Sequence, residues 1–170
     1  NVSGAQSKGI SSKGNMTIID GTFAITISGA TVLTASGSGF DPSYCTAFKT
    51  DGILAISNGT FTINSLSGAN GGKVFSANGE INISGGNFTT NTAGNGGTYT
   101  NTLGVADSFS TASFTSDTNI NISGGTFTVT NTGSDGKGIS ADVNVTISGT
   151  AQIGITNSGA KGKAIKADGN

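Results

Sequence analysis

Histidine, arginine and tryptophan are absent from this sequence, and proline, cysteine and methionine occur once each. Each absence closes a class of function. Without histidine, Cys45 has no imidazole base to activate it as a catalytic thiol. A lone cysteine also excludes an internal disulfide, so Cys45 reads as a small buried or loop residue. Eight cations, all lysine, face nine acids for a net charge of −1. So balanced a chain has no electrostatic footprint for nucleic acid or an anionic membrane. No apolar run approaches the ~18 residues of a membrane-spanning helix. Charged residues make up 10% of the chain, well below the roughly 25% of ordinary globular domains.

What is present is glycine, at 29 of 170 positions, and a repeat. Low charge with much glycine can mean disorder, but the apolar residues here are patterned. One word recurs: KGISSKGN from Lys8, TAFKTDGI from Thr46, KVFSANGE from Lys73, SFTSDTN from Ser113, KGISADVN from Lys137 and KAIKADGN from Lys163. Its large apolar residues, Ile10, Phe48, Phe75, Phe114, Ile139 and Ile165, are spaced by 38, 27, 39, 25 and 26 residues. The basic period is therefore 25–27, and two units carry about a dozen extra residues.

Each unit holds three short alternating runs. Ile139 and Ala141 typify the first, and Val145 and Ile147 the second. Earlier copies of the second are Met16/Ile18, Leu54/Ile56, Ile81/Ile83 and Ile120/Ile122. The third holds Phe23/Ile25, Phe61/Ile63, Phe88/Thr90, Phe127/Val129 and Ile153/Ile155. A spacing of two is the strand period, and Gly-rich corners such as SGG at Ser84 and Ser123 separate the runs. Three strands and three corners per period describe one coil of an all-β parallel β-helix. About five coils are expected in a single domain over residues 1–170. Because the final word stops where other copies begin a second strand, the chain is expected to be a segment of a longer solenoid, or to stack on a neighbour.

The extra residues form two loop insertions, after Gly29 and after Asn91. Both fall between the third strand of one coil and the first strand of the next. They are expected to leave the same corner two coils apart, with GNGG at Gly94 as a flexible tip. Each brings a tyrosine, Tyr44 or Tyr99, and an acid, Asp41 or Asp107. Most phenylalanines take inward positions, so the two tyrosines are the expected exposed rings. Their spacing along two coils is roughly 10 Å.

A second constellation is built into the repeat. Lys13, Asp51, Asn78, Asp117, Asp142 and Asp168 follow the first strand and align in one column. Carboxylates stacked at ~4.8 Å repel unless neutralised. A Ca²⁺ ion, which takes six to eight oxygens, would do so, and Asp41 and Asp107 could hold a bridging calcium. Asx-type turn capping with lysine compensation is the alternative.

The phrases GKGISAD, KAIKADGN, INISGGTFTVT and TDGILAISNGTFTI resemble the repeat of bacterial extracellular carbohydrate-binding β-helix domains, typified by a clostridial surface protein that binds cellulose and pectin-like acid sugars. The resemblance implies a right-handed, polysaccharide-lyase-like helix, calcium, a cell-surface location and a polysaccharide partner. The matching positions are Asp51, Lys73, Asn78, Lys137, Asp142, Lys163 and Asp168, with Val143 and Thr118 departing from the phrase. Lys137 and Lys163 join Tyr44 and Tyr99 as candidate carbohydrate contacts. The alternative is a surface adhesin or filament subunit that stacks end to end. An enzyme is not expected, since arginine, histidine and any recognisable carboxylate pair are missing. Outward Thr60/Thr62 and Thr126/Thr128 would suit an ice-binding face, but Ala24, Asn87 and Gly154 make that array irregular.

Overall fold

The computed structural model describes residues 1–169, and among them it contains strands and no α-helix. The first coil holds β1 (Lys8–Ser12), β2 (Met16–Ile18) and β3 (Thr22–Ile27), followed by β4 (Val32–Ser36) and β5 (Gly39–Ser43). The second holds β6 (Thr46–Thr50), β7 (Leu54–Ile56) and β8 (Thr60–Ser65). The third holds β9 (Lys73–Ala77), β10 (Ile81–Ile83) and β11 (Asn87–Thr92), followed by β12 (Gly97–Thr100) and β13 (Ala106–Phe109). The fourth is β14 (Ala112–Ser116), β15 (Ile120–Ile122) and β16 (Thr126–Asn131). The fifth is β17 (Lys137–Ala141), β18 (Val145–Ile147) and β19 (Gln152–Asn157), and β20 (Lys163–Ala167) opens a sixth.

These strands stack into three parallel sheets, as a β-helix requires. The first runs β1-β6-β9-β14-β17-β20, the second β18-β15-β10-β7-β2, and the third β19-β16-β11-β8-β3. The row expected from the repeat is the row observed: Ile10, Phe48, Phe75, Phe114, Ile139 and Ile165 are register partners in turn. Met16, Leu54, Ile81, Ile120 and Val145 form the second such row.

Stacking answers how so polar a sequence builds a core. Phe23, Phe61, Phe88 and Phe127 stack face to face, with centroids 5.0, 4.7 and 4.5 Å apart. Phe48, Phe75 and Phe114 form a second stack at 5.0 and 4.8 Å. The two stacks meet edge to face, as between Phe75 and Phe88 at 5.8 Å. The edge-to-face contacts suit the ring quadrupole, while the stacked spacing follows the strand ladder beneath. Each thin coil buries few residues, yet each ring gains two like neighbours.

One corner requires glycine for contact reasons. A Cβ on Gly133 would lie 1.8 Å from the Gly94 carbonyl oxygen, and one on Gly159 would lie 1.8 Å from that of Gly133. No side chain fits where successive backbones pass so closely.

The insertions are not irregular loops. Each folds into an antiparallel hairpin, β4 with β5 and β12 with β13. Gly37 (φ +58°) and Gly104 (φ +80°) supply the left-handed turn positions. The hairpins also touch each other. Phe40 bridges to Asn101, and the Ser38 N–H donates to the Thr102 carbonyl at 2.9 Å. The expected flexible tip at Gly94–Gly97 is instead a stacked corner. The Asn95 N–H donates to Asn70 Oδ1 at 2.9 Å, and Asn95 Oδ1 accepts from the Ser134 N–H at 2.9 Å.

Candidate functional site

The hairpins overhang the outer face of the first sheet and create a continuous groove. Its first section, about 520 Å³, is lined by Lys8, Asp41, Tyr44, Lys49, Asn78, Tyr99 and Asp117, with Pro42, Ser43 and Ser76. The middle section, about 410 Å³, shares Tyr44, Ser76 and Asp117 and adds Lys73, Asp107, Phe109, Lys137 and Asp142 among others. The far section, about 200 Å³, shares Phe109, Lys137 and Lys166 and adds Asp135, Lys161 and Lys163. A separate depression of about 240 Å³ on the second sheet is lined by small residues, Asn82 and Asn121 among them, with no charge and no ring.

The tyrosine pair and the lysine–aspartate column, two distinct candidates in the sequence, thus face one groove. Their geometry differs from that of two open platforms. Tyr44 and Tyr99 both pack against Phe109, each with ring centroids 6.3 Å away. Tyr44 is half-buried, and the Lys73 ammonium lies 4.6 Å from its ring centre. One face of that ring is therefore occupied by a cation. The expectation that the tyrosines would be the exposed rings is corrected by Phe40, which is exposed while Tyr44, Tyr99 and Phe109 are all half-buried. Phe109 lies outside the solenoid because the hairpin, not the inward strand pattern, positions it.

Lys73 is buried, at 7% exposure, and its Nζ donates to the Ser110 carbonyl at 2.8 Å. Burial foremost, then the neighbouring Lys137, brings its pKa down to about 7, against the opposing pull of Asp117 and Asp142. Burial also lowers Lys137, aided by Lys166. Tyr44 is pushed up to about 12 by burial, then by the field of Tyr99, Asp107, Asp41 and Asp117. The Tyr99 hydroxyl donates to the Asp107 carboxylate at 3.2 Å. Asp107 is held low by the Ser108 N–H at 2.7 Å and then by Tyr99.

The acidic column is where the repeat placed it, but lysines meet much of it. Lys49 pairs with Asp51 at 3.4 Å and donates to the Asn78 side chain. Lys166 pairs with Asp168. Asp117 is raised by partial burial and then by Asp142. Among the described residues no three carboxylate, cysteine or histidine groups gather where a metal could sit. Asp51 and Asp168 stand apart from the groove, while Asp41, Asn78, Asp107, Asp117 and Asp142 line it. Of the column carboxylates, Asp117 and Asp142 face the middle section of the groove together.

Lys73 entered the sequence reading only as a repeat position, and Phe109 was not singled out as a site residue. Lys73 was traceable, since it occupies the same register position as Thr46 and Ala112 in a row that continues to Lys137 and Lys163. Nothing periodic marks Phe109.

A family model described as "Carbohydrate-binding domain-containing protein" matches residues 1–162. Comparison with curated proteins and with solved structures gave no match.

Proposed function

Since the chain belongs to the carbohydrate-binding domain-containing family, we propose that it is a non-catalytic domain that holds an acidic polysaccharide along the hairpin groove. The observation that carries this reading is the convergence of Tyr44, Tyr99 and Phe109 with Lys73, Lys137, Lys163 and Lys166 on one extended cleft. Ring faces pack on the apolar C–H faces of sugars, and Tyr keeps a hydrated hydroxyl. Lys137, Lys163 and Lys166 meet uronate carboxylates, while Lys73 stays behind the Tyr44 ring and Asn78 and the aspartates accept from sugar hydroxyls. An open groove admits the interior of a long chain, where an enclosed pocket would accept only an end.

Calcium has a narrower place here than the full column. Asp117 and Asp142 would hold it, with carboxylates of the sugar completing the shell. Binding through rings and lysines does not need it. A polysaccharide partner also supports an extracellular or cell-surface location. End-to-end stacking is the second reading, favoured by register: Lys163 and Ile165 continue the rows that Lys8 and Ile10 begin.

The test is calorimetric titration with pectate beside an array of neutral glycans. Replacing Tyr99 and Lys137 together by alanine should abolish pectate binding while leaving the melting curve in place. Full retention of binding would remove the groove from consideration.

A further inference from the structure

The third sheet carries a second surface that the groove does not use. On its three central strands, β8, β11 and β16, the outward residues are Thr60, Thr62 and Asn64, then Asn87, Thr89 and Asn91, then Thr126, Thr128 and Thr130. They are in unbroken parallel register, Thr60–Asn87–Thr126, Thr62–Thr89–Thr128 and Asn64–Asn91–Thr130. The positions judged irregular from sequence sort themselves by place. Ala24 and Gly154 lie only on the flanking strands β3 and β19, and Asn87 keeps the array polar.

These nine side chains differ from the polar groups elsewhere on the helix. On the second sheet Asn121 donates to Asn82 at 2.9 Å, and inside the third corner Thr90 donates to Ser113 at 3.0 Å. Among the described residues none of the nine has a side-chain hydrogen bond to protein. Their hydroxyls and amides are therefore free to meet an external partner. Threonine is stiff about χ1, and the backbone beneath is paired on both sides. Rows therefore repeat at about 4.8 Å across the strands and about 6.7 Å along them.

The chemistry of the face narrows the partner. It has no lysine to meet phosphate. It has no aromatic, methionine or arginine, the residues that anchor protein interfaces. It has no ring to pack on a sugar. An uncharged, two-dimensionally periodic grid of six threonines and three asparagines, presenting methyl, hydroxyl and amide groups, suits a partner that is itself a rigid lattice of hydrogen-bonding oxygens. We propose that this face binds the surface of ice, with the Thr62–Thr89–Thr128 row and its mixed threonine and asparagine flanks holding the first water layer in lattice register.

The proposal is independent of the groove and is tested on the intact chain by ice-crystal shaping and inhibition of ice recrystallisation. The wild-type protein should facet growing crystals, and so should the Tyr99→Ala/Lys137→Ala variant. Thr89→Lys, at the centre of the nine, should lose both effects while its melting curve is unchanged. Should Thr89→Lys fail to fold, Thr62→Lys and Thr128→Lys are read in its place. Unshaped crystals with wild-type protein would overturn the proposal. So would activity retained in the folded lysine variants. Capture of the wild type on microcrystalline cellulose, lost in Thr89→Lys, would reassign the face to a neutral glycan.

Discussion

The Lys73 ammonium sits 4.6 Å from the centre of the Tyr44 ring, and both side chains titrate away from their usual ranges. Their shifts make stability depend on pH with a definite sign. The folded pKa of Lys73, about 7, lies below its ordinary 10.5. The unfolded chain therefore binds more protons between these values, and stability rises with pH across that window. Tyr44 is raised from 10.0 to about 12, so it contributes stability below pH 10 that is lost as pH climbs through 12. Thermal melts from pH 6 to 12 should show a maximum near pH 10. Lys73→Met should flatten the rising limb and stabilise the protein at neutral pH, on the order of a few kcal/mol at about 1.4 kcal/mol per unit. An unchanged slope in that variant would mean that Lys73 is solvated and charged at neutral pH.

Phe88 is stacked between Phe61 and Phe127 at 4.7 and 4.5 Å and is 1% exposed. Phe88→Ala should cost about 3–5 kcal/mol in urea unfolding, as large aromatic deletions in cores do. Phe40→Ala should cost far less, since Phe40 is 40% exposed on its hairpin. Equal losses would contradict the ladder as the chief store of packing energy.

Affinity for pectate should fall as salt rises, because groove lysines with exposed heads are screened. Lys137→Ala and Lys163→Ala should each weaken binding by up to roughly tenfold, about 1.4 kcal/mol. Isothermal titration at two ionic strengths measures both effects. Salt-independent binding would point instead to a neutral sugar.

Calcium should leave the melting temperature of the free protein unmoved, since no carboxylate cluster of three is formed among the described residues. A marked rise on adding calcium, reversed by EDTA, would reveal a complete ion site in the protein itself.

Pectate incubated with the protein should yield no unsaturated uronate by ultraviolet absorbance. Lys73 is the groove amine nearest neutrality, but its Nζ is engaged by Ser110 and the Tyr44 ring. Steady product that disappears in Lys73→Met would make the protein a lyase.

The solenoid was legible in the sequence because its rule is local and repeated. A spacing of two identifies an inward pair, and a period of 25–27 stacks it. Ile10, Phe48 and Phe75 therefore fall into a row without knowledge of any loop. The column from Asp51 to Asp168 was legible for the same reason. The groove was less so. Phe40 meets Asn101, 61 positions further along the chain, within insertions that follow no period. Lys73 looked like an ordinary repeat lysine, because its burial is imposed by Tyr44 and Ser110 from segments outside the repeat. The nine-residue polar grid was half visible. The threonine pairs were plain, but register was needed to show that the interruptions lie at its margins.

The contact between the two hairpins changes how the stack comes apart. In a simple solenoid each unit holds only the next, so opening can spread inward from either end one coil at a time. The Phe40–Asn101 bridge ties the first hairpin, which precedes the second coil, to the next hairpin, which follows the third. Loss of the second or third coil must break that clasp as well. These coils therefore form a cooperative block, and their backbone amides should exchange with solvent together.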